Sequence, residues 1–235
     1  MSSSRGDAPA AAFFDMDGTL LHSNIVRFYL WYVRHGLSGL PSLTRTAALY
    51  ASVPLYLAVD AVSRSALNRV FYASYRGVSV EHFAAWSRAS FDRFARPKIF
   101  PGALEEIAVL RAAGARIVLV TGATREVAAP IADHVGADDV IATELEVSGG
   151  RFTGRLASAP VGDEEKARRM RAYAAASGIA LSASAGYADN LADLPMLAAT
   201  GRPVAVNPDR GLAREAGRRG WPVRIWRAAN GSAPA

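Results

Sequence analysis

Phe13-Phe14-Asp15-Met16-Asp17-Gly18-Thr19-Leu20 is the stretch that decides the fold of this 235-residue chain. It continues an apolar run, residues 10–14, that predicts a buried strand, and its two carboxylates lie two residues apart. Side chains at that spacing on an extended segment point the same way, so both acids are expected to face one spot beyond the strand. Gly18 then allows the backbone to turn sharply.

Two like charges placed together are costly unless a cation or a reaction uses them. Phosphoryl transfer uses them, because one carboxylate attacks phosphorus while the other handles the proton of the leaving group. The competing interpretation is an acidic turn after a strand, in which Asp15 and Asp17 have no chemical role. The pattern Asp-x-Asp-Gly-Thr directly after Phe-Phe favours the catalytic interpretation.

The composition is that of a compact protein with a sizeable core, since 51% of the residues are hydrophobic. Its length suits one large domain or a core domain with an insertion. Cysteine is absent, which excludes disulfides and a thiol nucleophile, and the four histidines show no metal-ligand spacing. Residues 1–12 lack the apolar stretch of a signal peptide, so we expect a reducing, cytoplasmic location.

The formal net charge of +6 does not by itself indicate nucleic-acid binding. The basic residues are spread along the chain, and the arginine clusters in 168–171 and 214–219 have the spacing of solvated helix faces. We therefore expect no nucleic-acid partner. Lysine occurs only at Lys98 and Lys166, so each is a candidate for a task that needs a compact ammonium, such as contacting a phosphate.

From residue 101 onward, short apolar runs alternate with helical stretches, which predicts an α/β protein with a Rossmann-like, doubly wound parallel sheet. Ser148-Gly149-Gly150 predicts the turn of a small β-hairpin. The predicted strands are 115–120, 140–142, 180–186, 203–206 and 222–225, with hairpin strands 144–147 and 151–155. The predicted helices are 101–113, one that ends near 135, 163–177 and 191–200.

Residues 21–97 interrupt this alternation with four predicted helices and no convincing strand. We interpret this block as an inserted helical-bundle cap, with residues 1–20 and 98–235 forming the core domain. Because open α/β sheets bind ligands beyond the carboxyl ends of their strands, the cap is expected to cover that edge. The helices predicted in it are 24–35, 41–62, 63–76 and 80–95.

One stretch of the cap, residues 46–59, is uncharged and mostly apolar. It is too short to span a bilayer, and a helix that is apolar all round is usually part of a core. We therefore expect it to be buried in the helical bundle. A substrate channel and a face that contacts a membrane surface stay open as alternatives.

Polar residues also stand at the ends of other predicted core elements. Thr121-Gly122 follows strand 115–120, Lys166 begins the helix after Gly162, and Asp189 and Asp193 follow strand 180–186. The last two acids are four residues apart, which places them on one side of a helix's opening turn. Each signal alone is typical of an ordinary turn or N-cap, but together they predict four polar loops at one edge of the sheet.

With these motifs the chain resembles the haloacid dehalogenase superfamily of aspartate-nucleophile phosphatases, from Phe13 to about Trp226. Its subtype is similar to subfamily IB, the phosphoserine-phosphatase-like branch, whose helical cap follows the first motif. The resemblance implies that Asp15 is the nucleophile and that Asp17 is the general acid/base. It also implies that Thr121 hydrogen-bonds the transferring phosphoryl group, and the backbone N–H groups around Thr121 and Gly122 are expected to hold its other oxygens.

The same resemblance implies a role for Lys166 and a metal site. Lys166 would neutralise the phosphoryl group and steady Asp15. Mg²⁺ would be bound by Asp15, Asp189 and the backbone carbonyl of Asp17, with Asp193 in or next to the metal shell. Positive charge is needed there because a phosphate monoester repels an attacking carboxylate, and Mg²⁺ prefers carboxylate and water oxygens.

Two positions depart from the phosphoserine phosphatases. Those enzymes carry a glutamate nine residues after the nucleophile, which contacts the amino group of the substrate, and a serine at the position of Gly18. This chain has the uncharged Asn24 instead of the glutamate. Asn24, His22 and Asn190 are the candidate specificity residues, and hydrolysis of phosphoserine stays an open question.

The leading hypothesis is a Mg²⁺-dependent phosphomonoester hydrolase for a small phosphorylated metabolite, working as a monomer or homodimer. The first alternative is the same chemistry on a lipid, isoprenoid or other apolar phosphate, or transfer of the phosphoryl group to an acceptor other than water. It allows peripheral membrane contact without a membrane span. The remote alternative is a receiver-like signalling domain, but such domains are shorter and have no helical insertion.

Overall fold

The structure is a computed structural model that describes residues 8–60 and 69–228. Its strands are β1 (Ala11–Phe14), β2 (Arg116–Thr124), β3 (Asp139–Thr143), β4 (Leu145–Ser148), β5 (Arg151–Leu156), β6 (Ala185–Ala188), β7 (Arg202–Val206) and β8 (Val223–Arg224). Six of them form a parallel sheet in the order β3-β2-β1-β6-β7-β8, and β4 and β5 form a separate antiparallel hairpin. The predicted α/β class, parallel sheet and hairpin are confirmed.

The helices are α1 (Ile25–His35), α2 (Leu40–Ala51), α3 (Val53–Asp60), α4 (Val80–Ala89), α5 (Phe91–Phe94), α6 (Pro101–Ala112), α7 (Arg125–Val135), α8 (Asp163–Ala176), α9 (Leu194–Ala198) and α10 (Arg210–Arg219). Short 3₁₀ turns lie at Ala73–Tyr75, Arg96–Lys98, Leu181–Ala183 and Leu191–Asp193. Among the described residues, no helix is long and apolar enough to cross a membrane.

Strand β1 lies at the centre of the sheet, between β2 and β6, and is buried on both faces. Phe14 points to one face, where its ring stacks on Tyr187 with the centroids 4.2 Å apart, in the core that includes residues of α6 and α7. Phe13 points to the other face and packs in the core that includes Met170 of α8. Helices therefore cover both faces, so the polar residues that follow β1 emerge at the carboxyl edge of the sheet.

The described residues between β1 and α6 are helical or irregular, and an aromatic core holds them together. Phe28, Tyr29 and Tyr32 of α1 are buried. The ring of Tyr29 packs edge-on against Phe71, and Tyr32 packs edge-on against Phe83. The division into a cap, residues 21–97, and a core, residues 1–20 and 98–235, stays a prediction.

Several predicted elements have other bounds in the structure. The helix predicted over 41–62 ends at Ala51 and restarts at Val53, because Pro54 has no N–H to donate to a continuous helix. In the helix predicted over 63–76, residues 63–68 lie outside the described residues, 69–72 are helical and a 3₁₀ turn follows. The helix predicted over 80–95 breaks at Ser90 into two.

Two predicted elements near the acids are also shorter. The strand predicted over 180–186 is a 3₁₀ turn followed by β6, which begins at Ala185. The helix predicted over 191–200 is a 3₁₀ turn followed by the five-residue α9. The first error arises because a short apolar run does not distinguish a strand from a turn that packs against the core. The second arises because Pro195 favours the first turn of a helix, so α9 begins only at Leu194.

The expectation that residues 46–59 are buried in the bundle is wrong for most of this stretch. Leu49 is buried, whereas Tyr50 is 56% exposed and Leu55 is 52% exposed. Helix α2 packs by one face only, and Arg45 on that face donates hydrogen bonds to the carbonyls of Ser74 and Arg76, both at 2.7 Å. The opposite face therefore presents apolar side chains at the surface.

Candidate active site

Asp15 emerges from the carboxyl end of β1, and its position is set by the sheet. Its backbone N–H donates to the carbonyl of Tyr187 in the neighbouring β6 over 2.9 Å, so the ladder between the two strands continues into the first loop. The backbone then turns at Gly18 with a φ of +86°. A Cβ atom at Gly18 would overlap the carboxylate of Asp189, so the absence of a side chain there lets the two loops meet.

Lys166 is the centre of a buried charge cluster. Its Nζ lies 2.5 Å from Oδ1 of Asp15 and 2.7 Å from Oδ1 of Asp193, and the three side chains are 6–7% exposed. Burial disfavours the ammonium, but attraction by Asp15 and Asp193 outweighs burial and raises the pKa of Lys166 above its usual value. The lysine therefore stays charged throughout the neutral pH range.

Three carboxylates meet in this cluster. Oxygen atoms of Asp15, Asp189 and Asp193 lie within 4.8 Å of one another. Burial, together with the charges of Asp15 and Asp193, raises the pKa of Asp189 to about 8. Lys166 offsets part of this negative charge, and an all-oxygen donor set with charge left over fits a hard divalent cation. The residues present therefore fit a metal such as the one that the sequence predicts.

Thr19 holds two of these acids, a role that the sequence does not reveal. Its hydroxyl lies 3.2 Å from Oδ2 of Asp15 and 3.4 Å from Oδ1 of Asp189, and the residue is completely buried. The single hydroxyl hydrogen is shared between the two carboxylates. With Lys166 on Oδ1 and Thr19 on Oδ2, both oxygens of Asp15 have a partner, which restricts the rotation of its carboxylate.

The predicted phosphate-binding loop lies at the end of the same sheet, on β2. Thr121 is completely buried and its Oγ1 accepts a hydrogen bond from the N–H of Ala123 over 3.0 Å. Gly122 lines the cavity in front of Asp15, and its carbonyl accepts a hydrogen bond from the hydroxyl of Tyr72. Sequence reasoning did not identify Tyr72, because no local pattern marks a buried aromatic residue fifty positions away as a loop contact.

A cavity of about 850 Å³ opens over these residues. Its lining contains every candidate site residue except Thr121, which is buried behind the cavity surface. The lining includes Asp15, Asp17, Gly122, Lys166, Asp189 and Asp193, and the specificity candidates His22, Asn24 and Asn190. The four strand-end loops predicted from the sequence therefore do converge on one space.

Two of the specificity candidates also have local structural roles. The side chain of Asn24 is the N-cap of α1 and accepts from the N–H of Arg27 over 2.9 Å. The side chain of Asn190 accepts from the N–H of Ala192 over 2.9 Å. Each amide thus has its oxygen engaged by the backbone and retains its NH₂ group as a hydrogen-bond donor.

Comparison with known proteins agrees with this geometry. Residues 12–198 match the family described as haloacid dehalogenase-like hydrolase. The phosphoserine phosphatase SerB1 of Mycobacterium tuberculosis is 34% identical over 236 residues, which cover 97% of this chain and 74% of that protein. A probable phosphatase of the same species is 33% identical over 226 residues, covering 93% of this chain and 77% of the relative.

A solved structure is similar over nearly the whole chain. It is a protein of unknown function from Bordetella pertussis Tohama I, 30% identical, with a TM-score of 0.79 over 92% of this chain and 98% of that one. The parallel sheet, with its acids and lysine at the carboxyl edge, defines a phosphatase of the α/β type. The chain belongs to the haloacid dehalogenase-like hydrolase family.

Proposed function

We propose that this protein hydrolyses phosphate monoesters of small molecules through an aspartyl-phosphate formed on Asp15. The observation that supports this most directly is the setting of that carboxylate. It lies at the end of the central strand, lines the cavity, and is held by Lys166 on Oδ1 and by Thr19 on Oδ2. A carboxylate oriented in this way is ready to attack phosphorus without first reorganising.

Lys166 serves this reaction by charge and by position. Its ammonium lies 2.5 Å from Oδ1 of Asp15, and it offsets the repulsion between that carboxylate and the phosphate dianion. In the first step, an oxygen of Asp15 forms a bond to phosphorus and the bond from phosphorus to the ester oxygen breaks. Backbone N–H groups around Gly122 are proposed to hold phosphoryl oxygens.

Asp17 is proposed as the general acid and base. It lines the same cavity two residues after the nucleophile and is half-buried. In the first step it gives its proton to the leaving alkoxide. In the second step it takes a proton from the water that attacks the aspartyl-phosphate, which releases inorganic phosphate, returns Asp15 to the carboxylate and leaves Asp17 protonated for the next cycle.

We propose Mg²⁺ as the cofactor, held by the side chains of Asp15 and Asp189 and by the backbone carbonyl of Asp17. Asp193, whose Oδ1 lies 2.7 Å from Nζ of Lys166, is proposed to lie in or next to the metal shell. When bound, the ion would supply positive charge at the phosphoryl oxygens, which lowers the barrier for attack by a carboxylate. The oxygen-rich cluster and the raised pKa of Asp189 support this proposal.

The reaction can be tested with p-nitrophenyl phosphate, whose leaving group reports turnover directly. We expect Mg²⁺-dependent hydrolysis, and a phosphoenzyme that can be trapped by rapid acid quenching. Asp15→Asn should retain the fold by circular dichroism and lose at least about 10³-fold in kcat, because an amide cannot form the intermediate. Retention of more than a few per cent of activity by this variant would contradict the assignment.

A further inference from the structure

The cavity is larger than a phosphoryl group needs, and its outer part has a different character from the catalytic end. The outer lining includes Ile25, Val26 and Arg27 of α1 and Val53 and Tyr56 of α3, among which Arg27 is the one charged residue. The Tyr56 ring packs edge-on against the buried Phe71, with the centroids 5.9 Å apart, which anchors this wall to the core of the helical insertion. An apolar wall therefore stands on the side where the alcohol part of an ester would lie.

The apolar wall continues onto the surface of the insertion. Val53, which lines the cavity, is itself 38% exposed, and the exposed Leu55 and Tyr50 lie next to it along the chain. Between residues 40 and 59, Arg45 is the one charged residue, and it is engaged by backbone carbonyls. Exposed apolar side chains that lead into a cavity are a feature of binding sites for apolar ligands.

We propose that the substrate is a phosphate monoester of an apolar alcohol, with an alkyl or prenyl chain that lies along α3. This inference rests on the proposed function and adds the chemical class of the leaving group. Each methylene buried against this wall is worth about a fourfold gain in kcat/KM, given the transfer free energy of apolar groups. A zwitterionic amino-acid phosphate is disfavoured at Asn24, where no negative charge meets an ammonium group.

The experiment compares kcat/KM for ethyl, butyl and octyl phosphate, each dispersed as monomers, and for phosphoserine. We expect kcat/KM to rise at least tenfold from butyl to octyl phosphate and to exceed that of phosphoserine. Val53→Ser should reduce turnover of the octyl ester more than that of the ethyl ester. The matched control is Val109→Ser on α6, a residue that is 68% exposed and outside the cavity lining, and it should change neither.

A second arm asks whether the ester is taken from solution or from a lipid surface. Hexadecyl phosphate embedded in phosphatidylcholine vesicles is compared with the dispersed octyl ester. Faster turnover of the embedded ester supports an apolar substrate taken from a lipid surface, and faster turnover of the dispersed ester supports an apolar substrate taken from solution. Equal kcat/KM for all chain lengths, or preference for phosphoserine, overturns the inference and leaves the phosphatase activity in place. Failure to hydrolyse any ester, p-nitrophenyl phosphate included, overturns the proposed function as well.

A different observation concerns Tyr72, which joins the insertion to the Gly122 loop of the site. Its side chain is completely buried, and its hydroxyl donates to the carbonyl of Gly122. This hydrogen bond links the helical insertion to the loop that follows Thr121.

We infer that Tyr72 is a positioning residue, which sets the Gly122 loop for phosphate binding while the insertion is closed on the core. Without its hydroxyl, the carbonyl of the half-buried Gly122 loses this partner and its tie to the insertion, which leaves the loop free to shift. Burial, with the charge of Asp17 adding to it, raises the pKa of Tyr72, so its hydroxyl keeps its proton and remains a donor.

The test compares Tyr72→Phe with Tyr29→Phe. Tyr29 is equally buried, and its hydroxyl donates to the carbonyl of Ser74 over 2.5 Å, within the insertion. Both variants should lower the melting temperature by a similar amount. We expect only Tyr72→Phe to weaken product inhibition by inorganic phosphate and to lower kcat by about tenfold or more. Equal effects of the two variants on phosphate affinity and kcat would show that Tyr72 is merely structural.

Discussion

Replacing Lys166 with methionine removes the cation at the centre of the buried cluster and keeps the length of the side chain. In the wild-type protein, Nζ lies 2.5 Å from Asp15 and 2.7 Å from Asp193, with all three side chains 6–7% exposed. Breaking a buried ion pair by removing one partner costs about 3–5 kcal/mol, because the other charge is left buried without compensation. Lys166→Met should therefore lower the free energy of unfolding by about that amount at pH 7.

The loss of stability caused by Lys166→Met is expected to depend on pH. The pKa of Lys166 is raised in the folded protein, so its contribution to stability is fully present at neutral pH and is lost only at strongly alkaline pH. In the variant, the carboxylates left without a cation gain protons more readily, so the loss of stability should shrink as the pH falls from 7 to 5. Added Mg²⁺ should recover part of the stability, because it supplies charge to the same carboxylates.

The assay is urea denaturation followed by circular dichroism, in chelator and in Mg²⁺. For a chain of this length, the expected loss corresponds to a melting temperature lower by about 6–20 °C. The matched control is Lys98→Met, the other lysine, which is half-buried and donates to the carbonyl of Phe94 over 2.5 Å. It should cost about 1 kcal/mol. A loss for Lys166→Met no larger than that of the control would refute the reasoning.

Three further predictions concern the chemistry. Asp17→Asn should accumulate phosphoenzyme with p-nitrophenyl phosphate, since p-nitrophenolate leaves without a proton while the second step still needs a base; acid quenching measures this. Because the pKa of Asp189 is raised to about 8, Mg²⁺ must displace a proton from this carboxyl group. The Kd for Mg²⁺, measured by calorimetry, should therefore decrease by up to about tenfold for each pH unit as the pH rises from 6 to 8. Asn24→Glu should raise the ratio of kcat/KM for phosphoserine to kcat/KM for ethyl phosphate if the glutamate contacts the substrate ammonium. The expected gain corresponds to about 1–3 kcal/mol of transition-state stabilisation.

Each of these has a result that would count against it. Equal slowing of both half-reactions, without a trapped intermediate, would remove Asp17 from the acid/base role. A Kd for Mg²⁺ that does not change with pH would mean that Asp189 is already ionised or is not a ligand. An unchanged substrate ratio for Asn24→Glu would favour the apolar leaving group; Asn24→Asp, which retains the N-cap of α1, is the control for helix stability.

Much of the candidate site was predictable because its signals are local. Asp15 and Asp17 follow an apolar run whose burial on both faces requires a central parallel strand, and the structure places β1 there. The polar residues after other strands converge because parallel strands end at one edge, and the cavity contains Lys166 and Asp189 as expected. Spacing along the chain was sufficient for these conclusions.

Other features depend on contacts between residues far apart in the chain. The pairing of Lys166 with Asp193, the hydroxyl of Thr19 between two carboxylates, and the contact of Tyr72 with Gly122 have no pattern in the sequence. The exposure of the apolar stretch 46–59 was predicted wrongly, since composition indicates that a helix can be buried but not which helix the bundle has room to cover. The sequence by itself determined the parallel sheet and the placement of Asp15 and Asp17 at its carboxyl edge, because these follow from local periodicity and turn chemistry. Only the tertiary structure decided which partners hold those carboxylates and which apolar face stays open, because both result from packing over long separations in the chain.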